Sequence, residues 1–136
     1  MKIEYVERFV PDIESLNSLY NDAKFSLYTR NIDKLYKAIK NSLYVVSAWH
    51  NGRLVGLARI VGDGETIVYI QDILILKSYK RNGIGSNLIK MILKKYPEVR
   101  QKVLLTDDTD ETRGFYESLG FDSCDRGLLV SFVKFD

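Results

Sequence analysis

The chain predicts an α/β (α+β) fold: a mixed central β-sheet flanked by helices, in the order β-α-α-β-β-β-α-β-α-β. Three observations carry that prediction. Asn51-Gly52, a strong two-residue hairpin signal, joins two apolar strand candidates, Leu43–Trp49 and Arg53–Val61. A second turn, Gly62-Asp63-Gly64, leads into a long third strand, Thr66–Leu76, so three antiparallel strands follow one another. An amphipathic helical stretch then separates this strand from a buried-strand candidate, Val103–Thr106, and a helical crossover of that kind makes the two strands parallel.

The remaining elements follow in chain order. Residues 2–8 read as a short strand. Pro11 and Asp12 open a helix carrying Ile13, Leu16, Leu19, Tyr20 and Ala23. Ile32, Leu35, Tyr36 and Ile39, spaced i, i+3, i+4, i+7, make a second helix. In the crossover helix Ile84, Leu88, Ile92 and Tyr96 form one apolar stripe, and Lys90, Lys94 and Lys95 lie off it. A short helix spans about Thr112–Leu119, Gly120 ends it, and Leu128–Phe135 returns as a last strand. The sequence shows no repeat, linker or low-complexity segment, and residues 1–136 read as a single domain.

Composition excludes several classes. A net charge of +2 is too small for a polyanion reader, which argues against nucleic acid. One cysteine, Cys124, rules out an internal disulfide, and with the one histidine, His50, it cannot make an ordinary zinc site, so no metal is expected. Glu4, Glu7 and Arg8 interrupt any apolar leader, and no apolar run is long enough for a bilayer. A cytoplasmic, membrane-free protein is the expectation.

The most informative segment is Lys80-Arg81-Asn82-Gly83-Ile84-Gly85-Ser86, between the third strand and the crossover helix. Gly83 and Gly85 are expected to let the backbone take positive φ, so that successive N–H groups point into one concavity. The helix that follows adds its unpaired first-turn donors and positive dipole end, and Lys80 and Arg81 add cationic charge. A nucleotide P-loop would need Gly-Lys-Ser/Thr, and a dinucleotide fingerprint a third glycine; neither is present.

With those two excluded, the loop resembles the acyl-CoA loop of the GNAT superfamily of N-acetyltransferases, Arg/Gln-x-x-Gly-x-Gly/Ala, with Lys80 in place of the usual Arg or Gln. A second motif, Phe115-Tyr116-Glu117-Ser118-Leu119-Gly120-Phe121, is similar to the family's Phe-Tyr-x-x-x-Gly-Phe signature at the usual separation. The element order is that of the GNAT fold, so the resemblance covers essentially the whole chain.

The resemblance implies acetyl-CoA as co-substrate, held by residues 80–86. The pantetheine would pair along Ile73, Leu74 and Ile75 like an added strand. Tyr116 would be the general acid beside the thioester sulfur. Where many relatives carry an Asn that contacts the cofactor, this chain has Thr109, whose hydroxyl would hydrogen-bond a pantetheine amide. The region lined here by Tyr20, Phe25, Tyr28 and Arg30 would form the acceptor site, although core packing is the simpler role for each one taken singly. An amine of pKa about 10.4 is neutral in only about one molecule in 2,500 at pH 7, a deficit of roughly 4.6 kcal/mol, so removing its proton is a real task. Asp72 is the one carboxylate on the strand before the loop and is the candidate base, while Gln71 stands where several relatives have a glutamate. A polar residue holding backbone groups where the sheet opens is an equally good reading of Asp72.

Blander readings fit the other conspicuous residues: Cys124 as a buried or incidental thiol, His50 as a solvated turn residue, Trp49 and Tyr44 as strand core. The expected activity is transfer of an acetyl group from acetyl-CoA to a primary amine of a small molecule by direct attack. The alternatives are a protein or peptide acceptor, and a catalytically silent CoA-binding domain. The apolar last strand, at the end of a small sheet, predicts a homodimer.

Overall fold

The computed structural model describes all 136 residues, which divide into two units, Met1–Leu105 and Thr106–Asp136. The first holds β1 (Glu4–Glu7), α1 (Ile13–Asp22), α2 (Ser26–Thr29), α3 (Ile32–Lys40), β2 (Tyr44–His50), β3 (Arg53–Gly62), β4 (Ile67–Ile75), a 3₁₀ turn (Lys77–Tyr79), α4 (Ile84–Lys95) and β5 (Gln101–Leu104). The second holds α5 (Asp110–Ser118) and a 3₁₀ turn (Cys124–Arg126).

The strands of the first unit form one sheet in the order β1-β2-β3-β4-β5, antiparallel as far as β4 and parallel between β4 and β5. The crossover through α4 is the reason for the switch. β2 and β3 are continuously buried over Tyr44–Ala48 and Leu54–Ile60 instead of alternating, the pattern of strands covered on both faces. Strand alternation puts Gly56 and Ala58 on one face, Leu57 and Arg59 on the other. On the first, α4 packs so closely that a Cβ at Gly56 would stand 3.2 Å from Ile84 Cγ2 and 2.9 Å from Ile75 Cδ1. On the second lies α1, whose buried Tyr20 reaches Asp72, the cross-strand partner of Arg59.

Local polar contacts fix the ends of the elements. Asp12 caps α1 by accepting from the Ser15 N–H at 2.9 Å. Asp63 Oδ1 accepts from the N–H groups of Glu65, Thr66 and Ile67 at 2.9, 2.8 and 3.1 Å, shaping the turn that starts β4.

Three expectations change. The predicted second helix forms as α3, but it is preceded by an extra one-turn helix, α2, which the chain between α1 and Asn31 closes before Asn31 caps α3. Val103 is half-buried, not buried, since β5 has a strand neighbour on one side only. Leu128–Phe135 forms no strand: its side chains are exposed and no strand pairs with it. A strand needs a ladder partner, which apolar composition alone does not supply.

In the second unit Thr109 caps α5, its hydroxyl accepting from the Thr112 N–H at 3.1 Å. The other end closes as a Schellman motif, with Gly120 N–H to Glu117 O, Phe121 N–H to Tyr116 O, and Gly120 at φ 92°. Arg113 bridges Asp108 (2.6 Å) and Asp125 (2.9 Å), which holds both carboxyls below their ordinary 3.8. A depressed carboxyl contributes stability above its unfolded pKa and loses it as pH falls through the folded value. Hydrogen exchange of the α5 amides should therefore accelerate below about pH 3.8, and less so in Arg113→Met or at high salt. Equal acid sensitivity in Arg113→Met would remove this role for the fork.

Candidate active site

β4 is the strand on which the site is built. It pairs with β3 along its whole length, but with β5 only over Ile67–Ile70. Beyond Ile70 the side of β4 that faced β5 has no strand on it. The register also shifts there: Ile60 opposes Ile70, Arg59 opposes Asp72, and Gln71 is the extra residue of a β-bulge. The Leu76 N–H donates to Val55 O on β3, so alternation turns the N–H groups of Ile73 and Ile75 to the open side. The donors that the sequence reading assigned to Ile73–Ile75 are thus free in the backbone, with Leu74 facing β3.

The open edge leads through the 3₁₀ turn into the glycine loop. Lys80 is extended (φ −64°, ψ 156°), Arg81 and Gly83 are left-handed (φ 66° and 77°), and Ile84 begins α4. Gly83 is the N-cap and lends no side chain, so the first-turn N–H groups of Ile84, Gly85 and Ser86 have no capping partner. One expectation is corrected: Gly85 does not take positive φ, because it already lies in the helix, and Arg81 supplies the second left-handed residue. Asn82 braces the loop from within, its Nδ2 donating to Tyr79 O (3.0 Å) and Lys80 O (3.2 Å). Lys80 and Arg81 are exposed, with no ion pair on either. Successive N–H groups in such a turn, a helix N-terminus and two free cations fit a pyrophosphate.

On the other side of β4 the structure gathers the predicted acceptor residues around Asp72. The rings of Tyr20, Phe25 and Tyr28 lie 5.5 to 6.1 Å apart in tilted and edge-on contacts. Asp72, 4% exposed, accepts from Tyr20 OH (2.9 Å), Tyr28 OH (3.1 Å) and Arg59 Nε (2.5 Å). The Arg59 guanidinium also stands 5.9 Å from the Tyr28 ring centroid and donates to Ser42 Oγ at 3.3 Å. Burial alone would lower the Arg59 pKa, but the charge and hydrogen bond of Asp72 outweigh it and the net direction is upward. Burial, then the Asp72 charge, push Tyr20 well above the ordinary tyrosine range. Asp72 is therefore an internal counter-ion, buried and with both of its oxygens already accepting from neighbours. The group that does face outward is Tyr28: half-buried, it donates to Asp72 and accepts from the exposed Gln71 Nε2 at 2.9 Å. Arg30 does not join the cluster; it is an exposed residue ending α2.

In the second unit Tyr116 is 8% exposed, packed edge-on against Phe115 (4.9 Å) and Phe121 (5.8 Å). Its hydroxyl has no hydrogen-bond partner in the protein, and burial raises its pKa to about 12. It stays protonated at neutral pH, as an acid must. Thr109 spends its hydroxyl on the α5 cap. Cys124 is exposed rather than buried, and His50 is a half-buried partner of Tyr79 OH at 2.7 Å rather than a solvated turn residue.

A family model described as the acetyltransferase (GNAT) domain matches residues 10–135. The chain belongs to the GNAT family of acetyltransferases. FG08082 of Gibberella zeae, named as an acetyltransferase, is 28% identical over 127 residues, 87% of this chain and 68% of its own. Histone acetyltransferase TAP1 of Glycine max is 28% identical over 76% of this chain, which spans about half (49%) of the TAP1 length. The solved GNAT-family acetyltransferase SP0256 of Streptococcus pneumoniae is 30% identical, with a TM-score of 0.86 over 99% of this chain and 98% of that one. AAC(6′)-Iy, solved with the bisubstrate analogue CoA-S-monomethyl-acetylneamine, shares the fold over the full length of both chains (TM-score 0.76) at 15% identity.

Two residues that shape this candidate site escaped sequence reasoning. Arg59 was readable as a lone charge inside an apolar strand, which calls for a buried partner. Gly56 was readable as a glycine in a strand interior, the mark of a close approach.

Proposed function

We propose that this GNAT domain transfers an acetyl group from acetyl-CoA to the primary amine of a small molecule. The observation that carries the proposal is the continuous path from the open edge of β4 at Ile73–Ile75 to the uncapped N-terminus of α4. An extended tail ending in a pyrophosphate matches its two parts: strand-like N–H groups first, then an anion nest. Acetyl-CoA brings the activated thioester.

The residues of the chain then divide the work. A backbone N–H of Ile73 or Ile75 donates to the carbonyl oxygen and stabilises the charge that develops there as the amine nitrogen forms its bond to carbon. Tyr28 meets the acceptor: its oxygen keeps a lone pair for an ammonium N–H, and its ring offers a face to a cation. Asp72 and Gln71 hold that hydroxyl in place, so Asp72 is a positioning residue. The ammonium first gives one proton to solvent water, so that a neutral amine attacks. As the carbon–sulfur bond breaks, the Tyr116 hydroxyl protonates the leaving thiolate and recovers its proton, through water, from the nitrogen of the new amide. The compact aromatic group of Tyr20, Phe25 and Tyr28 supports a small cationic amine over a protein segment.

Thiol release measured over an amine panel, with a peptide panel beside it, tests the acceptor class; turnover on peptides alone would overturn the small-molecule reading. Gly85→Glu places a carboxylate at the uncapped helix N-terminus and is expected to abolish acetyl-CoA binding with the fold intact. Calorimetry that finds undiminished affinity in a folded Gly85→Glu protein would remove the nest from the proposal.

A further inference from the structure

The one histidine of the chain, His50, lies outside the cluster around Asp72, yet it is tied to the segment that leads into the glycine loop. It ends β2, at the hairpin that returns into β3, and its Nδ1 stands 2.7 Å from the hydroxyl of Tyr79, the last residue of the 3₁₀ turn. The two rings meet edge-on, with centroids 5.4 Å apart, and both residues are half-buried. A hydroxyl both donates and accepts, so this bond forms with either tautomer of the imidazole.

What the contact holds is a segment with few bonds of its own. The turn Lys77–Tyr79 is a single round of 3₁₀ helix, whose hydrogen-bond geometry is poorer than that of an α-helix. Two residues later Arg81 takes φ 66°, a left-handed conformation that a residue other than glycine keeps only where its surroundings enforce it. The enforcing contacts run through Tyr79. Asn82 Nδ2 donates to Tyr79 O, and the Tyr79 side chain is fixed by His50. At the other end of the turn the Lys77 N–H donates to Asp22 Oδ2 at 2.7 Å. In the sheet, β2 lies on the β3 side of β4, whereas the free N–H groups of Ile73 and Ile75 face the β5 side. The hairpin therefore grips the loop from behind and leaves the open edge clear.

We infer, on the reading of that loop as the acetyl-CoA site, that His50 and Tyr79 are positioning residues: their contact keeps the 3₁₀ turn, and through it residues 81–86, in the conformation that receives the pyrophosphate. The pair acts on the loop and not on the reacting atoms. When the contact is cut, the loop spends part of its time in other conformations, and the apparent affinity falls by the fraction that stays competent.

Tyr79→Phe removes the hydroxyl and keeps the ring, and it should weaken acetyl-CoA binding in calorimetry by about three- to tenfold, the scale of one hydrogen bond. His50→Ala should do the same. His50→Asn, which returns a polar atom near the place of Nδ1, should recover part of the loss. In thiol-release kinetics, with an amine that the wild type turns over, the change should fall on the KM for acetyl-CoA and leave kcat as it was. S-acetylpantetheine, the same thioester without its pyrophosphate, separates positioning from general damage: its kcat/KM should be equal in the wild type, Tyr79→Phe and His50→Ala. Wild-type affinity for acetyl-CoA in Tyr79→Phe overturns the proposal, and so does an equal loss with S-acetylpantetheine or a fall in kcat at unchanged KM. A wild-type protein that does not bind acetyl-CoA overturns the reading of the loop itself, and this proposal with it.

Discussion

Asp72→Ala is expected to lower the stability of the folded protein by about 3–5 kcal/mol, the range for removing one partner of a buried ion pair. The guanidinium of Arg59, 5% exposed, would be left in the interior without its counter-ion, and the hydroxyls of Tyr20 and Tyr28 would lose their acceptor. The cost arises from the orphaned charge more than from the pair itself. The double variant Arg59→Met/Asp72→Leu should therefore recover much of the loss, because both charges leave together. Denaturant titration measures this directly, and wild-type stability in Asp72→Ala would mean that the pair does not form. The raised pKa of Arg59 fixes the pH range: its contribution is fully present below the unfolded value, itself far above neutral, and is lost only as pH rises through the still higher folded value. The effect should thus be constant across neutral pH. Asp72→Asn keeps the shape and an acceptor for the Tyr28 hydroxyl and is the milder variant for kinetics; acting through Tyr28, it should slow turnover alike across the pH range.

Tyr116→Phe is expected to lower turnover by roughly 10² or more, the scale for removing a general acid, while stability and acetyl-CoA affinity change little. The structure sharpens this contrast. A tyrosine kept for its core packing alone would be expected to bond its hydroxyl to a neighbour, whereas Tyr116 packs its ring against Phe115 and Phe121 and bonds its hydroxyl to no protein group. Deleting the oxygen therefore breaks no hydrogen bond within the fold. With a pKa of about 12, the group remains a proton donor through the range of ordinary assays, so the alkaline limb of the rate profile should not move with it. Parallel melts and steady-state kinetics on this variant decide its role: normal turnover in a stable Tyr116→Phe protein would show that the thiolate leaves without it.

The elements and the family were legible in the sequence for local reasons. Asn51-Gly52 and Gly62-Asp63-Gly64 specify turns by backbone conformation, the stripe Ile84, Leu88, Ile92 specifies a helix by period, and the crossover between β4 and β5 forces their parallel pairing. Two short motifs at the right separation were enough to point to the GNAT family, because the backbone they describe does not depend on distant residues. What only the tertiary structure decided concerns partners far apart in the chain. Asp72 read as a candidate base until Arg59, Tyr20 and Tyr28, which lie 13 to 52 residues away in sequence, closed around its carboxylate. The open side of β4 beyond Ile70 could not be seen either, since it depends on where β5 stops. Leu128–Phe135 has the composition of a strand, and composition sets a preference only; whether a strand forms is decided by the edge it finds.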